Sequence, residues 1–222
     1  VEHYQPPLST IRAWHWRTLL VKLSPGVQLD QLAPYGGEGT FISVGGDLQE
    51  AQLMLGEGCQ PGLRAVMLRD GEIWMAAQPD GTPPPDVTLG DPLGWLCEPD
   101  PAAIRAGLVR SLAEMMGGRL LDETIAYFTT EREPISRWVR AWSIESWLPF
   151  SVKRLRDHLR TLGVGHVTVK KRGTAVTPDV IIPQLKLKGD ESRTLVLTRL
   201  RGQQIALICR DRPAPQTAEE RG

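Results

Sequence analysis

Charge divides this 222-residue chain in two. Residues 1–133 hold 9 Lys/Arg and 18 Asp/Glu, a net of −9, whereas residues 134–222 hold 17 and 8, a net of +9; the formal charge of zero is a cancellation. Such segregation predicts two modules with different surfaces. The basic module can hold a polyanion while the acidic one faces water, or the two halves can dock on each other. The chain is long enough to bury a core, and 41% hydrophobic with 23% charged residues is ordinary for a globular protein. No apolar run reaches the ~18 residues of a membrane span, so no membrane partner is expected. The start, Val-Glu-His-Tyr-Gln-Pro-Pro, has no charged-then-apolar signal pattern and no Met, which leads us to expect a chain that begins inside a longer product.

Cysteine and histidine narrow the chemistry. Cys59, Cys97 and Cys209 are odd in number and widely spaced. No pair has the short separation of a zinc knuckle, and a disulfide framework is not expected, so a reducing cytoplasm is the expected compartment. His3, His15, His158 and His166 form no ligand pair at helical spacing, and no metal is expected. There is no Gly-x-Ser-x-Gly elbow and no Lys-containing phosphate loop, which excludes hydrolase and nucleotide-kinase readings.

Along the acidic part, 18–23 and 40–44 read as strands. Gly45-Gly46 is followed by Asp47, read as the N-cap of a short helix over 48–55. The runs 64–69 and 72–76 flank Asp70-Gly71, a strong hairpin signal. A Pro-rich linker covers 78–85. Asp100-Pro101 opens a helix predicted to run to about Met116, with Ile104, Leu108, Leu112 and Met115 on one face. In the basic part, 137–147 reads as a strand. Ser151 caps a helix over 152–162 whose stripe is Val152, Leu155, Leu159 and Leu162. A strand over 166–171 follows, then a short helix opened by Thr177-Pro178, and an antiparallel pair over 194–200 and 204–209 around Arg201-Gly202. The order β-α-β-α-β-β is a compact α+β module. The tail 212–222 reads as disordered.

Several strings, taken in order, resemble the C-terminal part of a bacterial family that joins a class I S-adenosylmethionine-dependent methyltransferase domain to a THUMP-like domain. They are Leu-Leu-Val-Lys-Leu-Ser-Pro-Gly (19–26), Ile-Ser-Val-Gly-Gly-Asp-Leu-Gln-Glu-Ala (42–51), Glu-Pro-Asp-Pro-Ala-Ala-Ile-Arg-Ala-Gly-Leu-Val (98–109), Leu-Pro-Phe-Ser-Val-Lys-Arg-Leu (148–155), Val-Lys-Lys-Arg-Gly (169–173) and Leu-Lys-Gly-Asp with Thr-Leu-Val-Leu-Thr-Arg (187–199). The resemblance implies an α/β fold, the mixed-strand edge of a partial class I methyltransferase-like sheet (1–97). A helical connector (98–133) and a small α+β THUMP-like domain (134–211) follow. It also implies S-adenosylmethionine as the cofactor of the full-length parent and RNA, either tRNA or rRNA, as partner. The family holds its cofactor in an upstream Gly-rich strand-to-helix turn. Gly36-Gly37-Glu38-Gly39 is too short and follows no strand, so it reads as a loop. No cofactor is expected on this chain alone, and the N-terminal methyltransferase half is expected as its missing partner.

The candidate RNA-binding residues are cations of the basic module. Lys153, Arg154, Arg156 and Arg160 lie on the capped helix, with Lys153, Arg156 and Arg160 sharing a face beside the apolar stripe. Lys170, Lys171 and Arg172 end the following strand, and Lys186 and Lys188 add two more. Such a surface attracts phosphates by counterion release. Trp138, Trp142 and Trp147 are either stacking platforms for bases or core. Gln5-Pro6-Pro7-Leu8 departs from the Asp/Asn-Pro-Pro-aromatic turn of amino-methyltransferases at both ends and reads as a structural turn. The carboxylates Asp47 with Glu50, and Glu98 with Asp100, could do acid/base work, but Asp47 and Asp100 are explained as caps. No catalytic residue is assigned. The alternative function is a non-enzymatic interaction module.

Overall fold

A computed structural model describes residues 1–210. The tail expected over 212–222 lies outside the described residues. The chain divides into two compact units, 1–85 with 99–111, and 86–98 with the described residues from 112 onward.

The first unit is a five-stranded mixed sheet of β1 (Thr18–Leu23), β2 (Glu38–Val44), β3 (Asp47–Gly56), β4 (Gly62–Arg69) and β5 (Glu72–Pro79), in the order β1-β3-β2-β4-β5. Only β2 and β4 pair in parallel. Short 3-10 turns at Leu8–Ala13, Leu29–Gln31 and Ala33–Tyr35 surround it. The helix expected over 48–55 is strand β3. Its residues include good helix formers, but Ala51, Leu53 and Leu55 are the buried ones, a period of two. Gly45-Gly46, with φ of 61° and 96°, turn β2 into β3 as a tight hairpin, so Asp47 caps nothing. Asp70-Gly71 makes the expected β4–β5 hairpin in the same way, with φ of 53° and 77°.

One face of this sheet buries Leu23, Phe41, Ala51, Leu53, Leu55, Ala65 and Met67. Helix α1 (Pro101–Arg105) packs on that face against β2, β3 and β4. The helix expected to run to Met116 is instead broken at Gly107, which takes φ 76°, and resumes as α2 (Val109–Met115). Met115, read onto one face with Ile104, Leu108 and Leu112, is 78% exposed. The opposite face of the sheet leaves Leu20, Val44, Ile73 and Met75 exposed, and registry puts Ile42, Val66 and Met75 in one row and Val44, Leu68 and Ile73 in the next.

The second unit is a seven-stranded sheet in the order β10-β11-β12-β9-β6-β8-β7. It comprises β6 (Trp95–Pro99), β7 (Arg119–Leu120), β8 (Phe128–Thr130), β9 (Val139–Pro149), β10 (Val164–Lys171), β11 (Glu191–Leu200) and β12 (Gln203–Arg210). The segment expected as a helical connector, 98–133, thus contributes β7 and β8 to this sheet. From residue 139 the element order is β9, α3 (Val152–Thr161), β10, α4 (Pro178–Leu185), β11, β12. Helices α3 and α4 bury Leu155, Leu159, Ile181 and Leu185 against Leu195, Leu197, Ala206 and Ile208 on one face of the sheet. On the other face, Trp142, Val196, Ile205, Leu207 and Cys209 pack with Leu96, Leu121, Ile125 and Tyr127. No helix among the described residues is long and apolar enough to cross a membrane.

Candidate nucleic-acid interface

Strand periodicity decides where the basic residues point. In β10, Val167 and Val169 pack with the α3–α4 cluster, so Lys171 shares the helix-bearing side of the sheet. Lys170 and Arg172 alternate to the other side, where both meet Glu98. The nine candidate cations therefore do not form one surface.

On the helix side, burial of Leu155 and Leu159 turns the opposite flank of α3 outward, and Lys153, Arg154 and Arg160 are exposed. Ser151 holds the N-cap position in extended backbone, but its hydroxyl makes no capping hydrogen bond. Arg156 departs from the expected row: it is half-buried, and its Nε lies 3.8 Å from the Asp157 carboxylate. Lys171, Lys186 and Lys188 are exposed, the last two flanking Leu187, which packs on the α3–α4 cluster. Among the described residues, Lys153, Arg154, Arg160, Lys171, Lys186 and Lys188 make no ion pair, so their charges face solvent.

On the other side, Lys170 Nζ donates to Glu98 Oε2 at 2.8 Å and sits 4.6 Å from the Trp142 ring centroid. Arg172 Nη2 donates to Glu98 Oε1 at 3.4 Å and its guanidinium lies 5.2 Å from the Tyr127 ring centroid. The Tyr127 hydroxyl donates to the same Oε1 at 3.3 Å. Burial, then the Glu98 charge, holds the Tyr127 phenol far above its ordinary range, so it stays a donor. Arg140, exposed, also stacks on Trp142 at 4.9 Å. Trp142 is 1% exposed and so is core, not a platform for a base; Trp138 and Trp147 are half-buried. Sequence reading missed Glu98, Tyr127 and Arg140 as parts of this cluster. The alternation of Val167 and Val169 with Lys170 and Arg172 was the available signal.

The other paired carboxylates are structural. Asp100 caps α1 by accepting from the Ala102 N–H at 2.9 Å, and Glu50 pairs with Lys22 at 2.6 Å. Burial pushes the Cys97 thiol up to about 12, which leaves it no nucleophile. Among the described residues no three His, Cys, Asp or Glu side chains gather as a metal would need. Gly36-Gly37 lead into strand β2 and Gly45-Gly46 form a hairpin, so neither pair opens a helix that could receive the cofactor.

Residues 139–211 match the family described as THUMP domain-like, so the second unit contains a THUMP-like domain. Over 215 residues the chain is 32% identical to two Mycobacterium tuberculosis proteins, from strain CDC 1551 / Oshkosh and strain ATCC 25618 / H37Rv. Each is described as an uncharacterized S-adenosylmethionine-dependent methyltransferase, and the chain is homologous to them. The match covers 93% of this chain, which spans 58% of the length of each relative. A crystal structure of a proposed methyltransferase from Porphyromonas gingivalis W83 shares the fold, with TM-score 0.75 and 21% identity over 88% of this chain and 51% of that one.

Proposed function

We propose that this chain is the RNA-positioning part of an S-adenosylmethionine-dependent RNA methyltransferase. The observation that carries the reading is the outward, unpaired charge of Lys153, Arg154, Arg160, Lys171, Lys186 and Lys188 on a THUMP-like unit. These cations take phosphates of a tRNA or rRNA and fix its position without reading bases. On this reading, cofactor binding and methyl transfer fall to another part of the full-length protein, because neither Gly36-Gly37 nor Gly45-Gly46 opens a helix towards S-adenosylmethionine.

Titration calorimetry with total tRNA and with S-adenosylhomocysteine tests the reading. Binding heat with tRNA at low salt, lost as salt rises, and none with S-adenosylhomocysteine is the expected result. Silence in both supports a non-enzymatic interaction module instead. Micromolar binding of S-adenosylhomocysteine would overturn the assignment of the cofactor to another half.

A further inference from the structure

The Glu98 carboxylate is held by three donors that converge from different elements: the Lys170 ammonium at 2.8 Å, the Arg172 guanidinium at 3.4 Å and the Tyr127 hydroxyl at 3.3 Å. An ammonium, a guanidinium and a phenol aimed at one point are a donor set for any oxyanion. The donors are pre-positioned. Lys170 rests on the Trp142 ring and Arg172 on the Tyr127 ring, and both rings are about 1% exposed. The site is half-buried but reaches solvent at its charged edge, with side-chain exposures of 26% for Lys170, 34% for Arg172 and 19% for Glu98.

We propose that Lys170, Arg172 and Tyr127 form an exchangeable anion site, filled at rest by Glu98 and taken over by a phosphate of RNA when Glu98 turns out to solvent. The identity of the phosphate rests on the RNA reading above; the site itself does not. The cluster is half-buried, so an incoming phosphate must compete with the Glu98 carboxylate for the same three donors. The phosphate offers the same charge-assisted hydrogen bonds and releases counterions as it binds. Glu98 therefore acts as a threshold. The unpaired cations of α3 make the first contact, and the two strand-end cations join only when a phosphate is held against the other face long enough to replace the carboxylate.

The test titrates the chain, Glu98→Gln and the double variant E98Q/K170A with pyrophosphate and with total tRNA. Glu98→Gln should bind pyrophosphate at least tenfold more tightly than the unaltered chain, and Lys170→Ala should remove that gain. For tRNA, the affinity of Glu98→Gln should rise several-fold, and the salt dependence should steepen by about 0.7–1.8 in log–log slope, one or two further phosphates. No gain for pyrophosphate overturns the site. Binding of tRNA that Glu98→Gln leaves unchanged overturns the exchange while the RNA reading stands. A pyrophosphate gain with no tRNA binding in any variant overturns the RNA reading and leaves an anion site. Should Glu98→Gln fail to fold, the 15N resonance of the Lys170 ammonium in the unaltered chain decides: it moves with pyrophosphate if the exchange occurs and stays if it does not.

Discussion

Ser43 donates its hydroxyl to Asp100 Oδ1 at 2.6 Å, with both residues buried, and so ties the middle strand of the first sheet to the first turn of α1. Asp100 also accepts from the Ala102 N–H at 2.9 Å, and its second oxygen lies 3.6 Å from Arg69 Nη2. That second oxygen has no hydrogen bond, so loss of the Ser43 hydroxyl leaves the buried carboxylate with the Ala102 N–H as its one hydrogen-bond donor. Ser43→Ala should therefore cost about 1–3 kcal/mol of stability, measured by urea unfolding. A loss below the scatter of the measurement would show that the bond contributes nothing net.

Acid should weaken the second unit through Glu145. Hydrogen bonds from Arg193 and Arg210 hold its carboxyl down to about 2, against an ordinary value of 4.5. The folded value is the lower one, so the stabilisation is complete above pH 4.5 and fades as pH falls towards 2. Arg210 is 61% exposed, which discounts its share, and Glu145→Gln should cost about 2 kcal/mol at pH 7. Urea curves of the two proteins should converge near pH 2. A constant gap across that range would mean that Glu145 is not the acid-sensitive group.

The helix-side cations carry the first encounter with RNA. Replacing Arg154 and Arg160 by Ala should weaken tRNA binding and flatten its log–log salt slope by about 1.4–1.8, because two phosphate contacts are lost. Both side chains are exposed, so the thermal midpoint should hold. Unchanged affinity in a fluorescence anisotropy titration would remove α3 from the interface.

The uncovered face of the five-stranded sheet makes a further prediction. Ile73 and Met75 are 63% and 66% exposed on β5, an edge strand whose only charged residue is Glu72. Such an edge invites pairing with another chain. Ile73→Lys with Met75→Lys should reduce self-association in light scattering and leave the unfolding midpoint within about 0.5 kcal/mol of the unaltered chain. Equal association in both proteins would place the sticky surface elsewhere.

Legibility in the sequence followed the strength of local signals. Asp70-Gly71 and Arg201-Gly202 marked their hairpins because two-residue turns with positive φ at both positions leave few alternatives. Helix α3 was readable from Leu155 and Leu159, whose four-residue spacing survives into the core. Strand β3 was misread because Leu48, Glu50, Ala51 and Leu53 favour a helix by propensity, while pairing on both sides by β1 and β2 overrides it. The helix from Pro101 reads too long because the apolar stripe continues through Leu108 and Leu112, whereas in the fold Gly107 takes the left-handed conformation and ends α1. At the candidate site, the types of the cations were readable but their sides were not assigned. Lys170 and Arg172 looked like part of one basic run with Lys171, although strand alternation separates them. Glu98 was invisible as their partner because it lies more than 70 residues away in sequence.

Glu98 and Asp100 are separated only by Pro99, yet each is anchored inside its own unit, Glu98 by Lys170, Arg172 and Tyr127, Asp100 by Ser43 and Ala102. Proline fixes the backbone φ between them. The crossing at residues 98–100 is thus anchored at both ends, whereas the earlier one runs beside the exposed Pro83 and Pro84. A cut after Pro99 would free the chain ends that carry the two anchored carboxylates, whereas a cut after Pro84 falls in exposed chain. For anyone dividing or fusing this chain, residues 98–100 are the seam to leave uncut.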